Sequence, residues 1–291
     1  MTIPTVTLNQ GTTIPQLGFG VFKVPPETTQ PIVEQALAVG YRHLDTATIY
    51  GNEAGVGAAI RASGLPREDL YITTKLATPD HLAADATGAF QRSLDTLGMA
   101  YVDLYLIHWP LPARDLYTAM WTQLVQIAET GRARAIGVSN FQIPHLERII
   151  AATGVVPAVD QVELHPVFQQ KPLRAYLAQH GIAVEAWGPL GQGRWPLDWY
   201  APIADAAAAH GVSPAQAILR WHLQSGTIAI PKASTPEHMA ANFDVFGFEL
   251  TTEEMAAIDA LDTDQRLGGD PDTNNGDGPP AAGTWTPSPN R

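Results

Sequence analysis

The chain has 291 residues, 45% of them hydrophobic and 16% charged, with a formal net charge of −12 and no cysteine. That length can bury the core of one large domain or two average ones. The missing thiols exclude disulfides and thiolate metal sites, the acidic balance opposes nucleic acid as a partner, and no apolar run is long enough to span a membrane. The opening stretch MTIPTVTLNQ lacks the basic region and apolar core of a signal peptide, so a cytoplasmic protein is expected.

Residues 5–20 read as a hairpin turning at Asn9-Gln10-Gly11. A helix over 28–39 puts Ile32, Val33, Ala36 and Leu37 on one face and closes at Gly40. Strand 41–46 follows, then a turn carrying Tyr50 and Gly51, with Asn52 as N-cap of a helix over 53–63. Next come strand 70–76, helix 83–97, strand 101–109, helix 115–129, strand 134–139 and helix 144–152. Strand 158–164, helix 172–180, strand 182–187 and helices 201–210 and 214–225 continue the alternation; Ser213-Pro214 opens the last of these. Strand 227–231 and helix 236–242 close it, and Thr251 with Glu254 forms a capping box for one extra helix. Residues 262–291 hold five prolines and five glycines, a tail that either stays disordered or folds over a barrel mouth with Trp285.

With a first strand at 16–20, eight strands alternate with helices and are rich in Val, Ile and Leu, as doubly buried parallel strands are. No Gly-rich dinucleotide turn follows the first strand, as an open doubly wound sheet would want. The predicted fold is α/β, a single (β/α)8 TIM barrel over 1–291 with an N-terminal β-hairpin, extra helices and a long C-terminal loop.

In such a barrel the chemistry sits at the C-terminal strand ends, which here present Asp45, Lys75, His108, Ser139, Asn140, Gln161 and Trp187, with Tyr50 from the second loop. Each alone has an ordinary explanation as a cap or a packed rim residue. Together they suit reduction of a carbonyl, whose oxygen gains negative charge and must be protonated by a placed acid. A tyrosine is a weak acid near neutrality, and a neighbouring ammonium lowers its pKa. Asp45 would pair with Lys75, and His108 would orient the carbonyl.

The motifs DTATIYGNEAGVG, TTKL, VDLYLIHWP, IGVSNF, QVELHP, WGPLGQG and IPK, the last followed by Asn242, resemble the aldo-keto reductase superfamily over nearly the whole chain. The chain is most similar to the bacterial 2,5-diketo-D-gluconate reductase branch. The resemblance implies a monomeric enzyme that reduces small aldehydes and ketones with NADPH and no metal, using Tyr50 as acid with Asp45, Lys75 and His108. It further implies that Ser139, Asn140 and Gln161 hold the nicotinamide carboxamide and that Trp187 stacks on the ring. Gly188, Leu190, Gly191 and Gln192 would wrap the pyrophosphate. Lys232, Ala233, Ser234, Thr235 and His238 would face the adenosine 2′-phosphate, and Asn242 the adenine. Phe22, Ile49, Ala77 and Trp109 would line the substrate pocket, with Trp195, Trp199 or Trp285 added from loops.

Two positions depart from the family. His238 stands where an arginine usually offers a charged, planar fork to phosphate, and a histidine is largely neutral at pH 7. NADH is therefore expected to be accepted beside NADPH. Ala77 replaces a common bulky aromatic, which either opens the pocket to larger ketones or leaves space that Leu82 refills. His43, read as pointing to the opposite side of its strand from Asp45, and His165 and His222 are expected to be structural. A non-catalytic NADP(H)-binding sensor and a metal-dependent hydrolase barrel are the alternative readings.

Overall fold

The computed structural model describes residues 3–276. β1 (Thr5–Thr7) and β2 (Thr13–Pro15) form the antiparallel hairpin. Eight parallel strands then pair in chain order: β3 (Phe19–Gly20), β4 (His43–Asp45), β5 (Tyr71–Leu76), β6 (Val102–Ile107), β7 (Ala133–Ser139), β8 (Val159–Glu163), β9 (Ala183–Trp187) and β10 (Ile228–Ala229). The sheet closes on itself where the Gly18 N–H donates to Ala229 O (2.9 Å) and the Ala229 N–H donates to Gln16 O (2.9 Å). The TIM barrel expected from the alternation is present.

Outside the strands lie α1 (Pro26–Val39), α2 (Glu53–Ser63), α3 (Thr78–Leu82), α4 (Ala86–Leu97), α5 (Tyr117–Glu129) and α6 (Ile143–Thr153). They are followed by α7 (Lys171–Gln179), α8 (Ala201–His210), α9 (Pro214–Gln224), α10 (Pro236–Phe243) and α11 (Thr252–Asp259). Ser213 and Thr251 cap α9 and α11 through capping boxes, as their spacing predicts. Asn52 does not cap α2 with its side chain. Instead its Oδ1 accepts from Thr46 Oγ1 (2.9 Å) and its Nδ2 donates to Val21 O (2.9 Å) and Val24 O (3.2 Å), tying the first two strand-end loops together. The short helix α3 was not predicted, although Thr78-Pro79 is an ordinary helix start.

The barrel interior has two halves. Leu8 and Ile14 of the hairpin cluster with Leu104, Val159 and Ile228, an apolar plug at the N-terminal end. Toward the C-terminal end the inward side chains turn polar, with His43, Asp45, Thr73, Lys75, Gln161 and Glu185 all buried.

Candidate active site

Lys75 projects from β5 into the barrel and is fully buried. Three acceptors surround its ammonium: Asp45 Oδ1 (2.7 Å), Asp45 Oδ2 (2.8 Å) and Thr46 O (2.9 Å). Burial alone would drive that ammonium to lose its proton, but the Asp45 carboxylate, by its charge and its hydrogen bonds, is the largest opposing effect and the lysine stays charged. Tyr50 ends a single helical turn, Thr48–Tyr50, held where Thr48 Oγ1 donates to Lys75 O (3.1 Å). Its ring lies 5.2 Å from Lys75 Nζ, 5.7 Å from the His108 ring in an edge-on contact, and 5.0 Å from Phe22. The four residues expected to act together meet at one rim.

Burial raises the Tyr50 pKa, and the nearby Lys75 charge only partly opposes it. The ammonium lowers the Tyr50 pKa as expected, but desolvation of the phenolate exceeds that attraction and the net shift is upward. His108 is pushed down to about 3 by burial and then by Lys75, so its imidazole is neutral and able to donate one hydrogen bond.

Ser139, Asn140, Gln161 and Trp187 form a connected shelf beside this group. Ser139 Oγ donates to Gln161 O (2.8 Å), and Asn140 Nδ2 donates to Ser139 Oγ (3.1 Å) and His108 O (3.0 Å). Asn140 Oδ1 accepts from Trp187 Nε1 (2.8 Å), which fixes the plane of the indole. Beyond Trp187 the loop carries Gly188, Gly191, Gln192 and Gly193 all at positive φ. At Gly191 a Cβ would lie 2.2 Å from Trp195 Nε1, so no side chain fits there. Trp195 is thus packed beneath this loop and does not join the pocket lining. His222 lies below it, with Nε2 3.3 Å from Pro189 O, in keeping with a structural role. On the far side of β10, Lys232 is exposed and donates to Ser234 Oγ (2.6 Å), Thr235 caps α10, His238 is exposed and Asn242 is buried.

At the rim Phe22 and Ile49 are exposed, and Trp109 is half-buried. Ala77 is buried. Leu82 stays exposed, and His81 is the α3 side chain turned inward. The C-terminal segment crosses this end of the barrel. Glu163 accepts the Leu267 N–H on Oε1 (2.5 Å) and the Gly268 N–H on Oε2 (2.8 Å), while Arg194 donates to Leu267 O. Farther on, Asn275 Oδ1 accepts the Ala113 N–H (2.8 Å). The strap therefore runs from β8 to the loop after β6 and adjoins Trp187. Trp285 falls outside the described residues.

Several residues were missed from the sequence. His43 does not face away from Asp45; residues two apart in a strand share a face, and its Nε2 lies 3.1 Å from Thr73 Oγ1 inside the barrel. Glu185, two residues before Trp187, lies fully buried under Asp45 and Lys75. Glu163 and its neighbour His165, whose Nε2 is 3.1 Å from Glu163 Oε1, anchor the strap. Period-two alternation from Asp45, Gln161 and Trp187 would have found all but His165's partner role. Among the described residues, no group of three or more His, Cys, Asp or Glu side chains is arranged to hold a metal ion.

Residues 16–263 match the model of the Aldo/keto reductase family. An aldo-keto reductase of Mycobacterium sp. (strain KMS) is 50% identical over 276 residues, 94% of this chain and 99% of the relative. Methylglyoxal reductase DkgA of Escherichia coli (strain K12) is 46% identical over 277 residues, 95% and 100% of the two chains. The solved structure of an aldo/keto reductase from Brucella melitensis superposes with a TM-score of 0.86 at 49% identity, covering 90% of this chain and all of that one. A variant of Gox0644 in complex with NADPH gives 0.89 at 43% identity, covering 94% and 99%. Similarity of this degree, along almost the whole length of each relative, leaves no room for a barrel alike in fold alone: the chain belongs to the aldo/keto reductase family.

Proposed function

We propose that this chain reduces aldehydes and ketones to alcohols with NADPH, Tyr50 giving the proton. The observation that carries the reading is the Tyr50–Lys75–Asp45 group with a neutral His108 beside it, at the rim of a closed barrel. When bound, NADPH supplies a hydride from nicotinamide C4. Fit to that group rests on four features: the fixed Trp187 indole, the positive-φ loop 188–193 that no side chain at 191 could share, the exposed Lys232 and the amide of Gln161. Lys75 stabilises the tyrosinate left after proton transfer, Asp45 holds Lys75 charged, and His108 donates to the carbonyl oxygen. A relative named methylglyoxal reductase makes methylglyoxal the first aldehyde to try. NADPH oxidation by wild type and a loss of about a hundredfold or more in Tyr50→Phe are expected. Turnover undiminished in that variant refutes the acid assignment.

His238 and the missing arginine support a relaxed cofactor preference, since one charge-assisted bond contributes about 1.5–3 kcal/mol. NADH should therefore work within about a thousandfold of NADPH, and a preference beyond that, about 4 kcal/mol, defeats this part of the reading. A cytoplasmic monomer completes the proposal; gel filtration at the mass of two chains would revise it.

A further inference from the structure

Glu185 has no part in the chemistry so far described, yet it sits within the site's polar core. It leaves β9 two residues before Trp187 and is fully buried. Its surroundings are Asp45 and His43 from β4, Lys75, Thr73 and Tyr71 from β5, and Gln161 from β8. The Gln161 amide links it to the candidate catalytic pair. Nε2 of Gln161 donates to Asp45 Oδ2 (2.7 Å) and to Glu185 Oε2 (3.0 Å), so each amide hydrogen has its own carboxyl acceptor. With both amide hydrogens so placed, Oε1 is turned the other way and takes no hydrogen bond among the described residues.

We propose that Glu185 is a positioning residue that, with Asp45, locks the Gln161 amide with its carbonyl oxygen facing the nicotinamide side of the site. This rests on the NADPH reading above. The locked oxygen accepts from the carboxamide N–H₂ of the cofactor and cannot donate to it, which selects a carboxamide over a group that only accepts. The state of Glu185 fits such a holding role. Burial, then the Asp45 charge, pushes its carboxyl up to about 8, so at neutral pH it is an uncharged acid. Its carbonyl oxygen accepts from Gln161, and its other oxygen, Oε1, lies 3.5 Å from His43 Nε2. His43 is itself held down to about 3 by burial, so this contact joins two neutral groups and is not an ion pair. A neutral carboxyl has the shape of an amide, and glutamine should replace it.

The test measures equilibrium binding, through tryptophan fluorescence, for wild type, Glu185→Met and Glu185→Gln. The ligands are NADPH, its 3-acetylpyridine analogue, which lacks the amide donor, and 2′-phospho-ADP-ribose, which lacks the ring. Glu185→Met should weaken NADPH by about 3–10-fold, the worth of one ordinary hydrogen bond, and leave 2′-phospho-ADP-ribose unchanged. It should also narrow the preference for NADPH over the acetyl analogue. Glu185→Gln should bind all three as wild type does. Equal weakening of NADPH and 2′-phospho-ADP-ribose would mean a general structural defect and overturn the proposal, as would wild-type NADPH binding in Glu185→Met. If wild type binds 2′-phospho-ADP-ribose but shows no preference between NADPH and the acetyl analogue, the cofactor reading survives and this one falls. If wild type binds no nucleotide, the cofactor reading itself fails and takes this one with it. Should Glu185→Met not fold, Glu185→Leu carries the same measurements.

Discussion

The two ends of the barrel interior are built from the same strands and follow opposite rules. At the N-terminal end, residues of β5 to β8 and β10 meet the hairpin's Leu8 and Ile14 in a cluster of apolar side chains, with the Tyr71 phenol among them. Toward the other end of the same barrel, Lys75, Asp45, Gln161 and Glu185 are buried just as deeply and hydrogen-bond mainly to one another. Apolar packing stabilises by area and tolerates exchange of volume for volume. A buried charged network does not: it contributes little net stability when whole and is very costly when one member is removed. Stability should therefore be separable from activity at one end and inseparable at the other, unless charges are removed in pairs.

The largest effect expected from breaking that contrast is at Lys75. Lys75→Met leaves the Asp45 carboxylate buried beside only the Gln161 amide, and should cost about 3–5 kcal/mol of stability while abolishing turnover. Combining it with Asp45→Leu removes the orphaned charge. Unfolding titrations should then return to wild-type stability or better with turnover still absent. A double variant as unstable as the single one would mean that the network, and not the lone charge, holds this end together.

At the other end Ile14→Ala should cost about 2–5 kcal/mol through lost contacts and the cavity left behind, with kcat/KM little changed after correction for folded enzyme. Lost activity out of proportion to the folded fraction would show that the plug supports the rim directly.

Acid should reveal the polar end without any mutation. His43, His108 and His222 are each held near 3 by burial, whereas in the unfolded chain they bind protons near 6.5. The unfolded state takes up more protons across that interval, so stability falls as pH drops from about 6.5 toward 3. The urea midpoint should decline between about pH 7 and 5, and His222→Gln should shallow the decline. A flat midpoint would mean that these rings reach water.

How much of this the sequence disclosed follows from the same physics. Strands, helices and rim residues were legible because buried parallel strands are apolar runs and their ends are polar. The buried second layer was less so. Glu185 in IAVEAW looks like a lone charge in an apolar run, and only pairing it across β8 with Gln161 explains it. His43 was placed on the wrong face by neglect of the period-two rule. Asn52 resembled a cap, but tertiary acceptors at Val21 and Val24 outcompeted the local helix end. The pKa of Tyr50 required knowing how far its ring is buried, which no spacing reveals.

The smallest predicted effect lies in the strap, where one side chain from the barrel holds backbone from the tail. Glu163 offers its two oxygens to the N–H groups of Leu267 and Gly268, and a carboxylate acceptor contributes about 1.5–3 kcal/mol per bond. Glu163→Gln keeps one acceptor and turns an N–H₂ toward the other N–H. The strap between 262 and 276 should then open locally more often while the barrel beneath stays folded. Amide exchange at Leu267 and Gly268 should quicken by about 10–100-fold, with little change in global unfolding. Exchange that is unaltered would show that Arg194 and the Asn275 contacts suffice to hold the strap. A matching fall in global stability would place Glu163 with the cooperative core and move the boundary between the two regions outward, past the rim.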